Sequence, residues 1–118
     1  MLNDWKAQLS NTRRAGGALA EAHPKFIQAF QALNAAQGNG HLDAKVRELI
    51  ALAVAVTTRC DSCIASHASA ARTAGASEGE LAEALATAVA LNAGAAYVYS
   101  VRAMEALRQF GQPVEAAR

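Results

Sequence analysis

About one residue in four of this chain is alanine, and that single preference steers it toward helices. Alanine loses no side-chain entropy in a helix and is the strongest helix former. Only two prolines interrupt the sequence, Pro24 and Pro113, both near plausible helix ends. Aromatic residues make up 5%, so the core must come from Ala, Leu and Val side chains that let helices approach closely. Apolar residues reach 53%, above the usual ~45–50%. At 118 residues the chain is expected to be one all-α domain spanning residues 1–118, large enough for a hydrophobic core.

Local signals divide the chain into a small bundle of about six helices. The first is predicted over Leu2–Ala15, with Gly16-Gly17 weakening or ending it. His23-Pro24 opens a second, because proline suits the first helical turn. Phe26, Ile27, Phe30 and Leu33 give it an apolar stripe, and Gly38-Asn39-Gly40 stops it. Asp43 is a suitable N-cap for the third, in which Val46, Leu49, Ile50, Leu52, Ala53 and Val56 keep helical spacing. The β-branched residues between Ala53 and Thr58 would also suit a strand, but a strand there would strand the helical pattern before it. Arg59 or Asp61 marks a turn. A fourth helix is expected from about Ser62 to Ala74, stopped by Gly75. Ser77 and Glu80 form a capping box for a fifth. Asn92 and Gly94 are expected to interrupt that helix, leaving a last one over Ala95–Phe110.

The net charge is +1, from 11 basic and 10 acidic residues. Such a balance lacks the basic stripe of a nucleic-acid binder, and Arg13-Arg14 reads as a solvated helix end. The N-terminus has neither a basic start nor an apolar stretch of signal-peptide type, so a cytoplasmic location is expected. Residues 84–101 carry no charge, yet they include Thr87, Asn92, Gly94 and Ser100 among many alanines. That falls short of the ~20 strongly apolar residues of a bilayer span, and no membrane association is expected. Because Leu49–Val56 and 84–101 are apolar all round, they need cover that one small domain cannot supply. A homo-oligomer is expected.

The chemistry concentrates in Arg59-Cys60-Asp61-Ser62-Cys63-Ile64-Ala65-Ser66-His67. A thiol reacts as its thiolate, so a redox cysteine needs a stabilised anion, an accessible sulfur and a second sulfur to resolve the product. The first turn of a helix offers partial positive charge, and three-residue spacing puts Cys60 and Cys63 on one face, close enough to bond. His67 lies one turn beyond Cys63 on that face and can take and return a proton. Glu48 lies twelve residues before Cys60, ~18 Å along a continuous helix. If the chain reverses at residues 59–61, however, Glu48 and His67 fall at similar heights in an antiparallel hairpin. A carboxylate there would set the imidazole tautomer.

The pattern Glu-x11-Cys-x-x-Cys-x3-His in a short, Ala-rich helical chain resembles the alkylhydroperoxidase D/carboxymuconolactone decarboxylase superfamily, most clearly from about Asp43 to Asn92. The resemblance implies an all-helical fold, trimers or hexamers, and, in the peroxidase branch, reduction of hydrogen peroxide or organic hydroperoxides. By position, Glu48, Cys60, Cys63 and His67 match the relay of that branch. It further implies that Cys63, nearer the histidine, attacks the peroxide and Cys60 resolves. A dithiol reductant, of lipoyl or thioredoxin type, would regenerate the pair, and no cofactor is expected. The decarboxylase branch typically lacks the cysteine pair.

Other readings of the same residues are a lyase using His67 and Glu48 on a lactone acid, and a redox sensor without catalytic cycling. Few basic residues near the site could hold a carboxylated substrate, which counts against the lyase. Zinc would find three ligands in Cys60, Cys63 and His67 but needs a fourth, and no metal site is expected. His23 and His41 read as a helix-start residue and a loop residue, and Tyr97 and Tyr99 as packing residues.

Overall fold

The computed structural model describes residues 1–113, which form five helices and no strand. They are α1 (Trp5–Ala22), α2 (Pro24–Ala35), α3 (Ala44–Thr58), α4 (Asp61–Thr73) and α5 (Glu78–Phe110). The all-α expectation holds, with one helix fewer than predicted. Two expected breaks are absent. Helix α1 runs straight through Gly16-Gly17, and α5 continues through Asn92 and Gly94 for 33 residues. Glycine inside a helix costs only about 1 kcal/mol, and the alanines and leucines around each of these positions outweigh it. Asn92 also finds partners without leaving the helix, donating to Ala88 O and to Thr57 Oγ1.

The starts follow the predicted capping chemistry. Asp43 accepts from the Val46 amide at 2.9 Å, and Ser77 and Glu80 form the reciprocal box. His23 caps α2 through Nδ1, which accepts from the Phe26 amide. Helix α3 ends at Arg59, in the left-handed region with φ 55°, a conformation that costs a non-glycine residue about 1–2 kcal/mol. That bend lets the Cys60 amide donate back to Ala55 O at 3.0 Å and turns the chain directly into α4. Gly75, at φ 86°, makes the corresponding turn after α4 with no Cβ to strain.

The core lies inside the antiparallel α3–α4 hairpin and against the start of α5. Leu52, Ala71 and Ala76 are buried there, with Leu49 and Leu81 packed against them. Ala55 and Ala65 are buried nearer the hairpin turn, where small side chains bring α3 and α4 close. Helix α1 packs across α4, and α2 packs on α1. The rest of the chain is open. The radius of gyration is 20.9 Å, against about 13–14 Å for a compact domain of this length. Large apolar side chains along α2 and along α5 from Val89 onward are exposed, including Phe30, Leu91, Val98, Leu107 and Phe110. By length and composition alone α5 is apolar enough to cross a membrane.

Candidate active site

The hairpin turn sets the geometry of the cysteines. Cys60 is the N-cap of α4, and its Sγ accepts from the Cys63 amide at 3.2 Å. The two sulfurs are bonded to each other across a Cα separation of 5.2 Å. Both therefore sit in the first turn of α4, where unpaired amides and the helix dipole favour negative charge on sulfur. Between them, Ser62 is held by α1: its Oγ lies 2.8 Å from Thr12 Oγ1 and accepts from Gln8 Nε2 at 3.1 Å. This clamp fixes the dithiol turn to a helix far away in sequence, and nothing in the local pattern of Ser62 announces it.

Glu48 and His67 meet across the hairpin, with Glu48 Oε2 2.7 Å from His67 Nδ1. Their side chains are 24% and 31% exposed. Part-burial strengthens such a bond relative to one in open water. With Nδ1–H donating to the carboxylate, Nε2 carries the lone pair and is free to exchange a proton. One turn of α4 separates His67 from Cys63.

A cavity of about 630 Å³ opens onto this group. One wall is a single face of α3, formed by Arg47, Ile50, Ala51, Val54, Ala55 and Thr58. The end of α2 and the following loop, with His41 and Leu42, form another. Cys63 and His67 line the cavity and Cys60 does not. Among the described residues no group of three or more His, Cys, Asp or Glu side chains is arranged to hold a metal ion.

Arg47 and His41 correct the expectation that few basic residues lie near the site. Arg47 is half-buried, and its Nε is buried without a hydrogen-bond partner, a condition that costs about 1–3 kcal/mol unless something pairs with it. The guanidinium lies directly over Gly38, where a Cβ would overlap Arg47 Nη1. In the sequence, Arg47 stands beside Glu48 as an ordinary helical basic residue. Only the loop folding back onto α3 turns it into a cavity wall. Tyr97 and Tyr99, expected to pack, are instead exposed on the distal part of α5, which finds no partner helix among the described residues there, and they line no part of this cavity.

Fold and site together define a small helical protein with a dithiol at a helix N-terminus, backed by a carboxylate–imidazole pair. Residues 24–106 match the Carboxymuconolactone decarboxylase family, and the chain belongs to it. Three relatives carry no assigned activity in their names. An uncharacterized protein of Haemophilus influenzae is 63% identical over 107 residues, covering 90% of this chain and 95% of its own. One of Cupriavidus necator is 39% identical, covering 88% and 93%. "Uncharacterized protein 4 in cox locus" of Paracoccus denitrificans is 37% identical, covering 86% of each.

Proposed function

We propose that this chain is a dithiol peroxidase that reduces hydrogen peroxide or organic hydroperoxides. The observation that carries the reading is the cavity that reaches Cys63 and His67 while Glu48 holds the far side of the imidazole. In the reduced protein His67 Nε2 takes the Cys63 proton. The thiolate attacks the terminal peroxide oxygen, an S–O bond forms and the O–O bond breaks. The leaving oxygen departs as alcohol or water, carrying the proton from His67. The Cys63 sulfur is oxidised by two electrons to a sulfenic acid and the peroxide is reduced by the same two. Cys60 then attacks that sulfur, an S–S bond forms, and water leaves. A dithiol partner returns two electrons and completes the cycle. Cys63→Ser is expected to abolish turnover, whereas Cys60→Ser should allow one oxidation per chain without recycling. Full turnover in both variants would overturn the reading.

Arg47 gives a specific reason to keep a second reading, a lyase acting on a carboxylated substrate through His67 and Glu48. It leaves the bonded cysteines without a role. Turnover of a lactone acid that survives thiol alkylation would favour it.

The active unit is proposed to be a homo-oligomer. Support comes from the open shape and from the exposed apolar residues of α2 and α5. The last turns of α5 also carry Arg102, Glu105 and Arg108, with the Arg102 guanidinium 4.9 Å from the Tyr99 ring centre. That mixture of charged and apolar faces suits a second copy better than hydrocarbon.

A further inference from the structure

We propose that Arg47 is a specificity-determining residue that receives the carboxylate of an amphipathic substrate, so that the preferred hydroperoxides are apolar acids. The inference rests on the peroxidase reading and names the substrate class of that same cavity. Two independent features support it. The first is the guanidinium itself: no carboxylate of the described residues lies within 4.0 Å of it, and its Nε is buried without a partner. A guanidinium pairs with a carboxylate through planar N–H groups, and Arg47 lines the same cavity as Cys63 and His67. The second is Gly38. Its missing Cβ leaves the space in which Nη1 lies, so the loop packs on the guanidinium.

The distances fit an amphipathic molecule. Arg47 and Ala55 are eight residues apart on α3, ~12 Å along the axis. The Ala55 level is also that of the dithiol turn, since Ala55 O accepts from the Cys60 amide. Between the two ends the α3 wall is Ile50, Ala51 and Val54, which offer no hydrogen bonds from their side chains. A carboxylate at Arg47 therefore leaves an apolar stretch lying along α3 toward Cys63, which stands three residues along α4 from the Cys60 level and so ~7 Å from that of Arg47, while His67, paired with Glu48, stands beside the intervening stretch. Glu48, the nearest acid along the helix, is engaged by His67 and is not free to neutralise Arg47.

The reaction is that of the peroxidase cycle. The acid's O–O bond breaks, Cys63 gains the terminal oxygen, His67 protonates the leaving alkoxide to give a hydroxy acid, and a dithiol supplies the returning electrons.

The test compares a medium-chain hydroperoxy acid with its methyl ester, in wild type and in Arg47→Met, which keeps bulk and removes charge. Wild type is expected to favour the acid by about tenfold or more in kcat/KM, with the difference in KM. Arg47→Met should lose that preference, its kcat/KM for the acid falling at least tenfold further than its kcat/KM for the ester. Gly38→Ala, which displaces the guanidinium, should lose it as well. Binding of the unreactive hydroxy acid and its ester is measured in parallel by calorimetry. If no peroxide is turned over but Arg47→Met selectively loses the hydroxy acid, the peroxidase reading falls and the carboxylate subsite stands. Equal rates for acid and ester in wild type would overturn the proposal. So would an equal loss of both in Arg47→Met together with a change in native mass, which would make Arg47 a contact between copies.

Discussion

Replacing Glu48 by Gln keeps the size of the side chain next to His67 and removes its charge. The bond at stake is 2.7 Å long, and hydrogen bonds to a charged group contribute about 1.5–3 kcal/mol. Because 24% of the Glu48 side chain and 31% of His67 remain exposed, solvent screening places the effect in the lower part of that range, about 1.5–2 kcal/mol. The carboxylate matters most while the imidazole holds the thiol proton, so the loss falls on the transition state. At about 1.4 kcal/mol per factor of ten, oxidation should slow roughly 10- to 30-fold. The assay mixes reduced protein rapidly with excess hydroperoxide, quenches with an alkylating agent and counts unmodified thiols by mass. Thermal unfolding measured in parallel separates a catalytic from a structural effect. Oxidation within about threefold of wild type, or ~0.6–0.7 kcal/mol, would refute the role given to Glu48.

The assembly proposal predicts that Leu107→Glu/Phe110→Glu lowers the native mass in light scattering, because charge is placed on two of the most exposed apolar positions of α5. A wild-type chain that is monomeric at micromolar concentration would contradict it. At the start of α5, the Glu80 carboxyl is pulled from 4.5 down to about 2, chiefly by its hydrogen bond with the Lys45 side chain and then by Ser77. A depressed carboxyl contributes stability above its unfolded value, and that contribution is lost as pH falls from about 4.5 toward 2. The urea midpoint of wild type should therefore exceed that of Glu80→Gln at pH 6, and the gap should close over that window. The effect will be modest, since both partners are exposed at the surface. Leu52→Ala, at a position only 3% exposed, should cost about 2–5 kcal/mol of stability by leaving a cavity between α3, α4 and α5. A denaturation midpoint equal to that of wild type would place the core elsewhere.

Much of the site could be read along the chain because its parts are local. Cys60 and Cys63 are neighbours through helix spacing, and His67 follows by one more turn. Placing Glu48 needed only the assumption that the chain reverses at residues 59–61. Arg59 makes that reversal in a left-handed conformation that its side chain does not advertise. The misread points are of another kind. Gly16-Gly17, Asn92 and Gly94 carry a small helical penalty each, and the helices continue because surrounding propensity and the Asn92–Thr57 bond outweigh it. Ser62 and Arg47 gave no usable signal, since Gln8 and Thr12 lie in a helix far along the chain from Ser62, and Gly38 meets Arg47 only because the loop before α3 folds back onto that helix.

The alanine content that opened the argument decided the helical class by itself, because propensity acts residue by residue and sums along the chain. Capping side chains such as Asp43 and Ser77 set the helix starts, through bonds that reach no further than three residues. Tertiary structure alone decided which cysteine lines a cavity, which cation shares it, and how much apolar surface of α5 remains without cover. Those outcomes depend on how α2, its following loop and α3 come together in space. A one-dimensional pattern holds no record of that approach.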